Sequence, residues 1–122
     1  MKTIEPESIE WFFADQENIH VRVFPTDWDK KLSIIHAKIE AGQTMTDHHH
    51  ERADNGHEIY FFYKGGHFKY RIGGKEGEYN DTEPMYLFIA NKERHTITNL
   101  DDKVLEFQAI YTPRFEMDEV RY

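Results

Sequence analysis

The sequence predicts an all-β sandwich or barrel, and three features carry that reading. Short stretches of alternating apolar and polar residues recur at near-regular spacing between residues 19 and 112. The gaps between them hold turn-forming sequences: "AGQ", "GG" twice, "KEGE", "NDTEP" and "NLDDK". Helical patterning is confined to the N-terminal end, which leaves strands to build the core.

Taken in order, "EPESIEWFFADQEN" is expected to form a short amphipathic helix or irregular segment. Pro6 suits a first helical turn, and acidic residues precede Ile9, Trp11, Phe12 and Phe13. In "IHVRVF" (19–24), Ile19, Val21 and Val23 alternate with His20, Arg22 and Phe24. In "LSIIHAKIE" (32–40), Ile35, Ala37 and Ile39 alternate with His36, Lys38 and Glu40. The remaining strands are "EIYFFYKG" (58–65), "HFKYRI" (67–72), "MYLFIA" (85–90), "HTITN" (95–99) and "VLEFQAIYT" (104–112). A chain of 122 residues is one domain by default. Within it, residues 1–31 are expected to be an N-terminal extension packing on a barrel formed by residues 32–122.

Strand 58–65 is apolar on both faces. If Glu58, Tyr60 and Phe62 point inward, Ile59, Phe61 and Tyr63 form an outward stripe that a soluble monomer seldom leaves wet. A homodimer through that stripe is the expectation, with cover by Trp11 and Phe12 as the competing arrangement.

Composition narrows the partners. A formal net charge of −8 argues against nucleic acid and anionic membranes, which would repel the chain. The absence of cysteine excludes disulfides, thiolate metal sites and cysteine nucleophiles. No apolar stretch approaches a membrane span, and "MKTIEPESIEWFF" lacks the apolar centre of a signal peptide. A soluble, cytoplasmic protein acting on a small polar substrate is the expectation. With 9 Phe and 7 Tyr, its core should be aromatic.

The chemistry concentrates in "TDHHHERADNGHEIYFFYKGG" (46–66). Five of the eight histidines fall between positions 48 and 67. On a strand, His48 and His50 share a face while His49 points away, so the first two form a natural two-point chelate for a divalent ion. A third and fourth ligand must return from other strands, and Glu58 and His95 are the candidates. A carboxylate in aromatic surroundings is costly unless paired, hydrogen-bonded or metal-bound. The competing reading is a solvated histidine-rich loop with a buried, hydrogen-bonded Glu58.

Of the other histidines, His49 is expected at the surface or an interface. His57 is an alternative ligand only if a bulge turns it inward. His36 is equally compatible with cavity or surface, and His20 and His67 read as solvated strand residues.

These residues resemble the cupin superfamily, small jelly-roll barrels that hold a metal inside. Its first motif runs glycine, five residues, His-x-His, three or four residues, glutamate, six residues, glycine. Gly42, His48-His49-His50, Glu58 and Gly65 follow it. The departure is the seven-residue gap between His50 and Glu58, as though "ERADNGH" carried an insertion. Such gaps are similar to those of cupin-type sugar phosphate isomerases, whose His-x-His and Glu-x-Tyr elements resemble "HHH" and "EIY". The second motif ends in histidine, three residues, asparagine, which His95 and Asn99 fit. Its proline and glycine are missing, because "IANKERH" stands where Ile-Pro-x-Gly-x-x-His is expected. The resemblance covers residues 32 to 112 and implies His48, His50, Glu58 and His95 as ligands of one divalent transition metal: Mn, Fe, Ni, Co or Zn.

A metal with open positions supports Lewis-acid or oxygen chemistry. Tyr60, two residues beyond Glu58 on the same face, is the candidate for positioning or proton transfer, with a core aromatic as the plain alternative. Glu106 and Gln108 would face the cavity only if Leu105, Phe107 and Ala109 faced outward. The favoured function is isomerase- or epimerase-type proton transfer on a small sugar, sugar phosphate or sugar acid. Lys69, Arg71 and Arg94 are the candidate phosphate-binding cations. An iron-dependent dioxygenase and a non-catalytic metal-assisted binding module are the alternatives.

Overall fold

Alternation sets the strands, and among the described residues every strand pairing is antiparallel. The computed structural model describes residues 3–25, 31–51, 56–112 and 119–122. The strands are β1 (Phe12–Ala14), β2 (Ile19–Val23), β3 (Ser33–Ile39), β4 (His49–His50), β5 (His57–Phe62) and β6 (Gly66–Ile72). They continue with β7 (Lys75–Asp81), β8 (Met85–Ile89), β9 (His95–Asn99), β10 (Leu105–Thr112) and β11 (Val120–Arg121).

Six strands form one sheet in the order β1-β2-β3-β10-β5-β8. Opposite lies β7-β6-β9, and isolated bridges Thr44↔Thr98 and His48↔His95 extend it to the segment leading into β4, which pairs with β11. The two layers meet through aromatic rings: Phe62 of β5 stacks on Phe68 of β6 with centroids 4.1 Å apart, and Phe107 of β10 lies 4.9 Å from Phe62. Tyr60, Met45, Ile39, Ile89 and Ile97 complete a fully buried core. Each such side chain removed from water contributes about 1.5–3 kcal/mol. No helix among the described residues is long and apolar enough to cross a membrane.

The N-terminal helix shrinks to a single 3-10 turn, Pro6–Ser8. Trp11, Phe12 and Phe13 are consecutive, so they cannot share one helical face, and Phe12 and Phe13 instead pair with Val21 and His20 in a hairpin. The segment "KEGEYND", which reads in part as turn chemistry, forms β7. This strand has only β6 as a neighbour and buries little besides its packing of Tyr79 on Phe68, so its sequence stays polar. Gly65 meets a steric demand: its φ is +64° and an added Cβ would sit 2.2 Å from the Asp81 carbonyl oxygen.

The outward stripe is present. Ile59 and Phe61 are half-buried on the outer face of β5 and pair with Phe88 and Tyr86 of β8, which are 68% and 57% exposed. Trp11 covers a different part of that face, lying over Arg22 and Lys38. Tyr63 is tied sideways to Glu106 rather than standing free.

Candidate metal centre

Three separated segments deliver four titratable side chains to one buried point. His48 and His95 form a bridged pair. The His48 N–H donates to the His95 carbonyl at 3.2 Å and the His95 N–H returns to the His48 carbonyl at 2.9 Å. His50, two residues on, shares the face of His48, and Lys92 N–H donates to its carbonyl at 2.9 Å. Glu58 enters from β5, where Tyr111 is its cross-strand partner. All four site residues are buried, with His95 at 0% exposure and Glu58 at 3%.

Main-chain carbonyls orient two of the rings. His48 Nδ1 lies 2.7 Å from the Thr46 oxygen and His95 Nδ1 lies 2.9 Å from the Glu93 oxygen. A carbonyl only accepts, so both Nδ1 atoms carry protons and both Nε2 atoms are left for other partners. Ring nitrogens of His48, His50 and His95 lie within 4.8 Å of one another. Glu58 Oε1 sits 2.8 Å from His95 Nε2 and 3.6 Å from His50 Nε2. Neighbouring donors about 2.1 Å from one ion are separated by about 3–3.5 Å, and the three histidines are grouped closely enough to approach that spacing around a single cation.

The electrostatics agree with that fit. Burial pushes the Glu58 carboxyl up, but the imidazoles, His95 foremost, reverse this and hold it below the usual range. Burial followed by the neighbouring His95 lowers the His48 pKa, keeping its lone pair available. At His95, burial lowers the pKa but Glu58 outweighs it and the net shift is upward.

A cavity of about 100 Å³ opens beside this cluster. Its wall combines the apolar Ile19, Val21, Ile35 and Ala37 with His48, His50, Tyr60, Tyr111 and Glu17. Tyr60 is fully buried, its hydroxyl 3.8 Å from the Met45 sulfur and its ring 5.6 Å from that of His95. Burial raises the pKa of Tyr60 and Tyr111 well above that of an ordinary phenol, so both stay protonated.

The remaining candidates lie elsewhere. His49 is half-buried away from the cluster, with Nε2 3.2 Å from Glu51, and His57 is exposed. His20 and His67 face Glu40 and Glu78 at 3.2 and 3.3 Å. His36 is buried on the outer face beneath Trp11, not in the cavity. Glu106 also faces outward, because Leu105, Phe107, Ala109 and Tyr111 take the inner face.

Lys69, Arg71 and Arg94 do not line the cavity. Arg71 and Arg94 reach Asp47 at 2.9 and 3.5 Å on the surface, and Lys69 lines an open cleft with Glu76 and Glu78. These cations therefore serve no phosphate in the cavity. Tyr111 escaped the sequence reading although it continues the alternation of Phe107 and Ala109. Glu17 carried no signal, since it sits on a turn. The insertion read between His50 and Glu58 lies partly outside the described residues, at 52–55.

No family model matches the chain, and no curated protein matches it by sequence. Solved structures do. KdgF from a Halomonas species superposes with a TM-score of 0.74 at 16% identity, covering 95% of this chain and 96% of that one. Pac13 of Streptomyces, described as a unique nucleoside dehydratase, gives a TM-score of 0.76 at 13% identity over 99% of this chain and 89% of its own. An RmlC-like cupin from Shewanella frigidimarina gives 0.71 at 13% identity over 93% and 91%.

Proposed function

We propose that this chain, which has the cupin fold, is a divalent-metal-dependent enzyme that moves protons on a small hydroxylated, sugar-like substrate. The observation that carries the reading is the convergence of His48, His50, His95 and Glu58 beside a largely apolar cavity. These four residues would hold the ion, and the bound metal would polarise a substrate oxygen as a Lewis acid.

The chain's own groups do the rest. Thr46 and Glu93 fix the ring orientations of His48 and His95. The apolar side chains of Ile19, Val21, Ile35 and Ala37 would limit the water around a bound substrate. Tyr60 presents a protonated hydroxyl near His95, between the weak sulfur acceptor of Met45 and the hydroxyl of Tyr111, where a substrate oxygen would compete with the sulfur. Tyr111, cross-strand from Glu58, offers a second neutral phenol. The description of Pac13 as a nucleoside dehydratase, with structures carrying uridine, supports a neutral polyhydroxylated ligand in a cavity of this kind. A second copy of this chain would cover the outer stripe of Ile59, Phe61 and Tyr63, continued by Tyr86 and Phe88.

The test is reconstitution of metal-free protein with Mn, Fe, Co, Ni and Zn. Metal stoichiometry and turnover of neutral sugars and nucleosides are then measured with and without oxygen. One ion per chain, lost in His48→Ala and His95→Ala, with turnover under a redox-inert ion, is the expected result. Turnover confined to iron and oxygen would replace this reading with a dioxygenase. Full metal retention in both variants would overturn the ligand set.

A further inference from the structure

Glu17 is an acidic side chain in the cavity wall outside the proposed metal ligands. It sits on the four-residue turn joining β1 and β2, and main-chain contacts fix where that turn lies. Thr46 N–H donates to the Glu17 carbonyl at 2.9 Å, and Asn18 Nδ2 donates to the Thr44 carbonyl at 3.0 Å. Asn18 adopts φ +60°, the left-handed conformation that Asn tolerates better than most residues. The turn is thus pinned to the segment leading into His48, with the half-buried Glu17 at the cavity.

Among the described residues the carboxylate has one hydrogen-bond partner, the Tyr122 hydroxyl, which donates to Glu17 Oε1. The Tyr122 ring lies 6.1 Å from that of His48. Among the described residues the cavity wall carries no lysine or arginine to balance the Glu17 charge. That charge also acts on His48, Tyr60 and Tyr111. A ligand entering this space meets a fixed negative group on one side and the histidine cluster on the other.

We propose that Glu17 sets the substrate class: its carboxylate accepts a hydrogen bond from a hydroxyl of a neutral ligand and turns away carboxylates and phosphates. The inference rests on the metal-dependent reading above and removes sugar acids and sugar phosphates from it. Because a carboxylate only accepts, an anionic oxygen placed beside it gains no hydrogen bond and meets repulsion, strongest where water is excluded.

Cobalt-loaded protein provides the test, with the visible spectrum of the ion as readout. Acetate and imidazole are the probes, one anionic and one neutral, both able to bind the metal. Glu17→Gln should strengthen acetate binding by about three- to tenfold and leave imidazole within about twofold. Glu17→Asp, which keeps the charge, should retain the wild-type ratio. Equal shifts for both probes in Glu17→Gln, or no shift for either, would overturn the assignment while leaving the metal centre intact. Failure of the wild-type protein to take up cobalt would overturn the metal centre and this inference with it. Should Glu17→Gln fail to fold, a higher acetate-to-imidazole affinity ratio in Glu17→Ala supports the assignment, and an unchanged ratio there overturns it.

Discussion

His95 Nε2 lies 2.8 Å from Glu58 Oε1 while the His95 Nδ1 proton is committed to the Glu93 carbonyl. A neutral ring would then point a lone pair at a carboxylate. The contact needs a second proton on His95 or a cation shared by both groups, so bound metal should substitute for that proton.

Metal should therefore stabilise the fold, and Glu58 should carry much of the effect. At a free metal concentration of 100 Kd, binding adds about 2.7 kcal/mol. If Glu58→Gln weakens the site a hundredfold, the same concentration adds only about 0.4 kcal/mol. Thermal unfolding with metal and with chelator measures both. An equal metal-induced rise in the wild type and Glu58→Gln would remove Glu58 from the ligand set.

Lys92→Gly should raise stability by about 0.5–1 kcal/mol. Lys92 has φ +68° and stands three residues before His95, where the cupin motif carries glycine. A non-glycine residue there costs about 1–2 kcal/mol, part of which glycine returns through its freer unfolded chain. Lys92→Ala, which keeps a Cβ, should show no gain. Denaturant unfolding of both variants decides it, and equal stabilities would refute the argument.

Below neutrality, His36 should weaken the fold. Arg22 Nε and Nη2 lie 3.1 and 2.9 Å from its Nδ1, which must accept, so Nε2 carries the proton toward the Tyr63 hydroxyl at 2.6 Å. Burial, then the Arg22 charge, lowers its pKa from 6.5. The unfolded chain thus takes up the proton first. This contribution is intact above pH 6.5 and is lost as pH falls from there through the folded value. Proton NMR should find the His36 titration below 6.5 and moved upward in Arg22→Met. An unchanged titration in the variant would disprove the coupling.

Phe88→Glu should produce a monomer with an unchanged circular-dichroism spectrum. Phe88 and Tyr86 are largely exposed, and Tyr86 stacks on Phe61 at 4.5 Å, making one apolar surface across β5 and β8. Sedimentation of the wild type as a single chain at micromolar concentration would refute the dimer.

Strands β2, β3, β5, β6, β8, β9 and β10 were legible from period-2 alternation and His48 and His50 from His-x-His spacing, all local properties, whereas Glu58 and His95 were legible as motif positions. The inward-facing set of β10, including Tyr111, could be read from the same alternation. Asn99 was legible only as a motif position. Its work is long-range: Nδ2 donates to the carbonyls of Ile39 and Lys103 at 3.0 and 2.7 Å, tying β9 to the end of β3. The edge strand β7 was hidden because one neighbour and an exposed face demand few apolar residues. Glu17 was invisible because its position depends on where a turn docks. The missing glycine of "IANKERH" is explained by backbone conformation, with Lys92 adopting the left-handed geometry itself.

The peptide around Thr46 serves two masters. Its amide holds the first hairpin at Glu17, and its carbonyl holds the His48 ring. A push on the hairpin tip is therefore passed to an imidazole within a few bonds. Were an ion held by His48, a ligand pressing on Glu17 and the grip on that ion would share one lever, and by thermodynamic reciprocity each would alter the binding of the other to the same degree.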